Sequence, residues 1–311
     1  MANLIKRVGA SVTLGLIVVA VVTLSVVPSD CLALSPLVAK AQAIKCPDLV
    51  QQALALSRDE CIGIGRNKAC YGHSLVSAQA RAGTTNFAFA TQGDVANVES
   101  IRSLALNPYD QQALTWGIVY LRVQASLPDT AVGENVTIMM FGQTQIDDGA
   151  ASTDVQSAYP YLPNLQPYQA FYFRSNMLDS DLCEQMPGSG VIVQTPAGTG
   201  QARMVANEVQ FDLTGGTIFM TARPGHGADF SVIEGSARVT ADGVTQLLAA
   251  GTQLTVPMTD DLKPSGPPGP PRPYQATHMP GVAARYLPEP VSVAPPQQNA
   301  VCQIAQKGLS S

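Results

Sequence analysis

Glu208–Thr240 reads EVQFDLTGGTIFMTARPGHGADFSVIEGSARVT. Val209, Phe211 and Leu213 alternate with Gln210 and Asp212, the period of two that a strand with one buried face requires. Thr214-Gly-Gly216 predicts a turn, and Thr217–Ala222 predicts the next strand. Arg223-Pro-Gly-His-Gly227 predicts another turn, with a strand from Phe230 to Thr240 beyond it. The texture continues on both sides. Gly190–Gly198 reads as a short strand ending in a turn. After Ala241-Asp-Gly243 come two more strands, Val244–Leu248 and Gly251–Val256. Short strands with turn signals every few residues predict an antiparallel sandwich or roll over residues 169–258.

Upstream, Gln169–Arg174 predicts one further strand. Residues 147–168 are polar, with Tyr159-Pro-Tyr-Leu-Pro163, and read as an extended connection. Residues 46–146 predict a helix-plus-β unit. Pro47 and Asp48 suit the first turn of a helix, and Leu49, Val50, Ala53, Leu54 and Leu56 supply its apolar face up to Ser57 or Arg58. Asn86–Ala90 and Trp116–Leu127 read as strands. In the second, Val119, Leu121, Val123, Ala125 and Leu127 share one face, while Tyr120, Arg122, Gln124 and Ser126 share a face expected to be wet. Asn135–Ile146 returns as its partner. The fold class is therefore mainly β.

Residues 259–311 predict a disordered tail. Eleven of the chain's 23 prolines lie between Pro264 and Pro296, and such a segment lacks ladder donors and favours extended structure. At the other end, Lys6 and Arg7 precede an uncharged run from Val8 to Val27. That is the pattern of a signal peptide or signal anchor, and residues 1–33 are read as one. The rest of the chain is then expected outside the cytoplasm. Cleavage near Ala33 and retention as an anchor both fit. Charged residues make up 13% of the chain and the net charge is −5 without a basic block, which excludes nucleic acid as a partner.

In an oxidising compartment the cysteines are read as disulfides. The candidates are Cys46, Cys61, Cys70, Cys183 and Cys302, with Cys31 inside the leader. Cys61–Gly72 reads CIGIGRNKACYG. It has neither the strand–loop–helix context of a dinucleotide loop nor the Ser or Thr after lysine of a Walker loop. His73 is the only nearby imidazole, which is too few ligands for zinc. A disulfide-pinned turn is the expected reading. A straight helix would hold Cys46 and Cys61 about 15–18 Å apart, so Cys61–Cys70 is favoured and Cys46–Cys70 stays open.

Other groups are scattered. His73, His226 and His278 show no metal spacing. Asp147-Asp148 and Asp260-Asp261 lack a calcium-loop pattern around them. Asn135-Val-Thr137 matches a glycosylation acceptor by composition alone. Trp116, Tyr120 and Tyr159, Tyr161, Tyr168 and Tyr172 are candidates for a binding face or for core packing. No catalytic group, metal or cofactor is assigned.

Val193-Gln-Thr-Pro-Ala-Gly198, Val232-Ile-Glu-Gly-Ser-Ala-Arg-Val239 and Leu248-Ala-Ala-Gly-Thr-Gln-Leu-Thr-Val256, in that order, resemble the extracytoplasmic domain of the FecR family. The resemblance covers residues 190–257 and implies a β domain in which each stretch marks a turn. FecR proteins of the best-known kind relay signals to a sigma factor through a cytoplasmic helical domain. Here only about seven residues precede the apolar run, so that role does not carry over. The N-terminal half resembles a group of bacterial exported proteins through Cys46-Pro-Asp-Leu-Val, Gly65-Arg-Asn-Lys-Ala-Cys-Tyr-Gly72 and the Trp116–Thr130 segment. That resemblance brings no activity with it. The expectation is a non-enzymatic envelope protein that binds, scaffolds or senses a ligand, with a protein or envelope polymer as partner. An extracellular hydrolase or a membrane-anchored regulator is the alternative.

Overall fold

A computed structural model of the chain describes residues 48–110, 113, 115–125, 135–162, 164–175, 188–196 and 201–297. The export segment, Cys31, Cys46, Cys183 and Cys302 lie outside the described residues. Helix α1 (Asp48–Cys61) leads into β1 (Lys68–His73), β2 (Val76–Ala80), β3 (Val95–Asn97), β4 (Ile101–Leu106), β5 (Ile118–Gln124), β6 (Asn135–Phe141) and β7 (Thr144–Asp148). Then follow α2 (Thr153–Ala158), β8 (Ala170–Ser175), β9 (Gly190–Gln194), β10 (Gln201–Ala206), β11 (Val209–Arg223) and β12 (Gly227–Ala241). β13 (Val244–Ala249), β14 (Thr252–Pro257), β15 (Arg272–Pro273) and α3 (Gly281–Ala284) complete the described chain. The protein is mainly β, as its alternating pattern predicts. Among the described residues no helix is long and apolar enough to cross a membrane.

Among the described residues all 15 strands belong to one curled sheet, and β11 and β12 are its hinge. These two strands are 15 residues each and form a single hairpin. Their open end (Val209–Thr214 with Ser236–Ala241) joins β10 and β13. Their closed end (Thr217–Arg223 with Gly227–Glu234) joins β9 and β14. One half of the sheet is β3-β1-β5-β6-β9 continuing into the closed end. The other is β2-β4-β7-β8-β10 continuing into the open end. The halves face each other across one apolar core, where Phe211 of one half meets Phe230 of the other at 6.1 Å between ring centroids.

The hairpin changes sheets at Thr214–Thr217, where the register shifts. The turn expected at Thr214-Gly-Gly216 is thus a bulge inside a continuous strand, and the Glu234-Gly235 turn is its counterpart on β12. Both call for glycine. A Cβ on Gly216 would stand 2.1 Å from the Glu234 carbonyl oxygen, and Gly235 has φ +73°. Two backbones pass so closely here that no side chain fits between them.

The boundary expected at 147–168 does not separate two sheets. β6 pairs with β9 along five positions, and β7 pairs with β8, so the two expected β units share one core. The face of β5 expected to be wet is covered instead. Ile118 and Tyr120 lie beneath α1 and the C-terminal segment, with Met139, Phe141, Ile192 and Phe219 beside them. α1 buries Val50, Ala53, Leu54, Ser57 and Cys61 and leaves Leu56 exposed, so its buried stripe runs one turn further than expected. Cys61 is bonded to Cys70, with Cα atoms 5.6 Å apart, which ties the end of α1 to β1. Asn86–Ala90 is a loop rather than a strand, because the Asp94 carboxylate accepts the N–H groups of Ala90 and Thr91, both at 2.8 Å.

Residues 259–297 also depart from the expectation of disorder. Their few donors find acceptors on the sheet: Ser265 N–H on Pro257 O (2.9 Å), Gly269 N–H on Thr255 O (2.9 Å) and Ala294 N–H on Ile233 O (3.2 Å). Proline is tolerated because β15 is an edge strand. Tyr274, Met279, Ala283, Ala284, Leu287 and Val291 fill the outer layer. Gln194 clamps this segment in both directions, donating from Nε2 to Glu289 O (2.6 Å) and accepting from Glu289 N–H (3.2 Å).

Gly216→Ala should destabilise the fold by about 3 kcal/mol or more by urea denaturation, as an overpacked core site does. Gly215→Ala, with φ +47° and open space around it, should cost only about 1–2 kcal/mol. Leu287→Ala should cost about 2–5 kcal/mol, and limited proteolysis of the full chain should not release a stable core ending near Pro257. A stable core with that end point would mean that the C-terminal layer contributes nothing to the fold.

Candidate functional site

The outer face of the β10–β13 half is mixed: Val205 packs under α2, Leu247 is exposed, and the remaining outward positions of β10 and β11 are polar. Along β10 and β11, Ala202, Met204, Ala206, Val209, Phe211 and Leu213 point into the core, which leaves Arg203, Gln210 and Asp212 outward. Arg203 and Asp212 are cross-strand partners. The guanidinium grips the carboxylate with two bonds, Nε–Oδ1 at 2.7 Å and an Nη–Oδ2 bond at 2.9 Å. The Asp212 hydrogen bonds hold the Arg203 proton more firmly than usual, raising its pKa. Gln210 donates to Asp212 Oδ1 at 3.1 Å. Its carbonyl oxygen accepts the Tyr161 hydroxyl.

Tyr161 is carried there by the segment expected to be an extended connection. α2 buries Val155, which packs with Tyr159, Ala170 and Val205. Tyr159 donates its hydroxyl to Glu208 O at 2.6 Å, and its ring meets that of Tyr161 edge-on, 6.0 Å between centroids and 87° between planes. Tyr159 is buried, whereas Tyr161 is 57% exposed. The rings form a shelf fixed at both hydroxyls, with one ring offered to solvent.

Two hollows flank this shelf, and Tyr159 lines both. One, of about 590 Å³, is bounded by Arg81, Asp148, Gln156, Leu162 and Leu165. Its base is an ion pair of Arg81 with the buried Asp148 at 2.5 Å. The other Asp148 oxygen accepts Tyr168 N–H at 2.8 Å. The second hollow, of about 610 Å³, lies among Tyr161, Glu208, Thr240, Asp242 and Ser265. Two hairpin turns build its wall. Asn207-Glu208 (φ +50° and +60°) joins β10 to β11, and Asp242-Gly243 (φ +49° and +70°) joins β12 to β13. Positive φ at both central residues is the tight-hairpin geometry that Asn, Asp and Gly favour. Asn207 also bonds both backbone groups of Phe173, at 2.6 and 2.8 Å, locking the parallel β8–β10 contact. At the rim, Lys263 binds Asp154 at 2.7 Å and lies 3.5 Å from Glu208. The Asp154 hydrogen bond, then the Glu208 charge, push its pKa up to about 12.

The sequence candidates divide sharply against this geometry. Of the six aromatic candidates, only Tyr159, Tyr161 and the half-buried Tyr172 come together. Tyr172 donates to Glu208 Oε1 at 3.0 Å. Tyr168 is fully buried in the central core, and Trp116 and Tyr120 lie in the layer under α1. Tyr120 donates to Tyr286 O at 3.0 Å. Asp148 is engaged by Arg81 and backbone donors, and Asp147 accepts from Gln145. Asp260 and Asp261 are exposed. Thr137 of the Asn-Val-Thr pattern is buried on β6. His73 contacts Trp116 O and His226 contacts Pro224 O, while His278 is exposed in the C-terminal segment. Arg66 is exposed, and Lys68 donates to Asn97 Oδ1 at 2.7 Å. Among the described residues no group of three or more His, Cys, Asp or Glu is placed to hold a metal ion. Arg203, Gln210 and Asp212 were not singled out from the sequence. Their signal was present in the polar positions of an alternating strand, but which face would stay open was not.

No protein-family model matches the chain, and no curated protein matches it. Two solved structures align with it, both described as candidate anti-sigma factors from Parabacteroides distasonis. The first, at 2.50 Å resolution, shares 10% identity over 54% of this chain and 64% of its own, with a TM-score of 0.31. The second, at 1.65 Å, shares 10% over 50% of this chain and 54% of its own, with a TM-score of 0.29. This chain thus spans less than two thirds of either. Scores of this size transfer neither a topology nor a role.

Burial raises the pKa of Tyr159, Tyr172 and Tyr274 to about 12. A tyrosine held neutral in the fold ionises first in the unfolded chain. Its contribution to stability is therefore complete below about pH 10 and is lost as pH rises towards about 12. Tyrosinate absorbance should rise together with unfolding in that window. Tyr159→Phe should weaken the pH dependence between 10 and 12, and an unaltered slope would show that Tyr159 ionises without penalty.

Proposed function

We propose that the chain is an extracytoplasmic, non-enzymatic binding module that holds an envelope component on the outer face of its β10–β13 half. The observation that supports this most directly is the exposed Tyr161 ring, fixed through Gln210 and Tyr159 between two hollows. Rigid, partly exposed aromatics over a polar frame are suited to recognition, because little conformational entropy is lost on binding. The Cys61–Cys70 disulfide and the Lys6-Arg7 leader both favour an oxidising compartment.

A second reading, a FecR-like domain serving a membrane-anchored regulator, is favoured by another observation. The three stretches that resemble FecR meet at one point. Thr195 of the first accepts Gly216 N–H on its hydroxyl at 2.8 Å. Gly235 of the second accepts Ala250 N–H of the third at 3.1 Å. The family's turn signals thus coincide with the hinge of this fold. This reading needs residues 8–27 retained as an anchor.

Cosedimentation of the exported protein with bacterial envelope fractions tests the first reading. Tyr161→Ala should reduce retention about ten-fold, with thermal stability close to wild type because the ring is exposed. Retention unchanged in this variant would place binding elsewhere. N-terminal sequencing of the exported form separates the readings further, since cleavage near Ala33 removes the anchor that the second requires.

A further inference from the structure

Resting on the binding reading above, we propose that the hollow beside Tyr161 takes an uncharged sugar chain, with one pyranose ring stacked on Tyr161. The ring is 57% exposed, yet its hydroxyl is held by Gln210 and the Tyr159 ring stands perpendicular beside it. It is therefore preset as a flat apolar platform, the shape that the C–H face of a pyranose matches. Hydrogen-bonding groups surround it at the hollow's edge. The Glu208 carboxylate lines one wall with 16% of its side chain exposed. The Asp242 and Ser265 side chains line the hollow and are exposed. Thr240 and Thr245 share a hydroxyl–hydroxyl bond of 2.8 Å that leaves capacity for a further partner.

Charge selects against other polymers. Glu208, Asp242 and the nearby Asp154 bring carboxylates to this rim, and the one ammonium among them, Lys263, is already engaged by Asp154 and Glu208. Arg203, the guanidinium beneath Tyr161, is held bidentate by Asp212. An anionic strand entering the hollow would meet Glu208 and Asp242 on its walls, whereas sugar hydroxyls can donate to those same oxygens; the exposed Arg238 on β12, opposite Asp212, is the cation on this face that the salt dependence tests. The volume, about 610 Å³, falls within the range of roughly 300–1,000 Å³ typical of small-ligand sites. The second hollow across Tyr159, about 590 Å³, offers room for the next units of a chain. Leu162, Leu165 and Pro167 on its walls suit the less polar faces of such units.

The probes are chitotetraose and cellotetraose, titrated by calorimetry into the full exported chain. Saturable binding of at least one is expected. Tyr161→Ala and Glu208→Gln should each weaken it about ten-fold or more, and Tyr161→Trp should hold it within about three-fold. Affinity should be nearly constant between low and high salt, because a neutral ligand has no screened attraction to lose. Circular dichroism and the melting temperature confirm that each variant is folded. Absence of binding by both tetrasaccharides, affinity unaltered in Tyr161→Ala, or a steep fall with salt would each overturn the sugar assignment. If the tetrasaccharides fail while Tyr161→Ala still loses envelope retention, the face binds something other than a neutral glycan. If retention is also unaffected, the binding reading fails with it.

Discussion

The close passage of β11 and β12 at Gly216 and Gly235 is the constraint on which the architecture rests. A hairpin of two 15-residue strands cannot serve two facing half-sheets unless it bends sharply where it crosses between them. Bending two paired strands together brings their backbones closer than any Cβ permits. The crossing is reinforced from both sides. Thr195 bonds Gly216 through its hydroxyl and backbone, and Ala250 and Gly251 donate to Gly235 and Val232. Strands β9, β13 and β14 are thereby set relative to the hinge, and the β10–β13 half receives its orientation from it.

The two halves then part company in what covers their outer faces. Behind the closed end of the hairpin, α1 and the proline-rich segment form a second apolar layer, so β5, β6 and β9 are buried on both sides. Behind the open end, among the described residues, α2 and its flanking loop cover the sheet in part. Arg203 consequently stays partly open to solvent and neutralises the buried Asp212, Gln210 is buried beside them, and Tyr161 sits over them. The proposed recognition falls on this face because it combines a rigid frame with an exposed ring. The opposite face spends its surface on packing.

The ionic groups follow the same division. Arg81–Asp148 and Arg203–Asp212 each pair a nearly buried carboxylate with a half-exposed arginine. Removing either arginine would strand a carboxylate, which is far costlier than the net gain from the pair. Their evident structural use is positional. Asp148 seats Tyr168 and the end of the loop, and Asp212 orients Gln210, which in turn orients Tyr161. The shelf thus depends on charges that take no part in the proposed contact.

Alternation of apolar and polar residues determined that this chain is mainly β, because a period of two is imposed by backbone geometry in any sheet. Cys61–Cys70 was favoured for a similarly local reason, since the eight residues Ile62–Ala69 with two glycines can fold back while a straight helix cannot. Other features were decided only in three dimensions. Thr214-Gly-Gly216 carries the signals of a turn, and a sheet-switching bulge uses the same residues for the same freedom of φ. Strands β2, β3 and β4 are short and partly polar, and their existence depends on neighbours distant in sequence. The prolines of residues 264–296 remove donors, but they leave carbonyls and apolar surface intact, and these sufficed once β14 and the outer face of β9 were there to receive them. Tyr161 and Tyr168 lie in one polar segment with nothing local to tell them apart. An ion pair with Arg81, which follows β2, places Asp148 where it draws Tyr168 into the core, and Tyr161 is left outside because α2 turns the chain over a strand 49 residues further on.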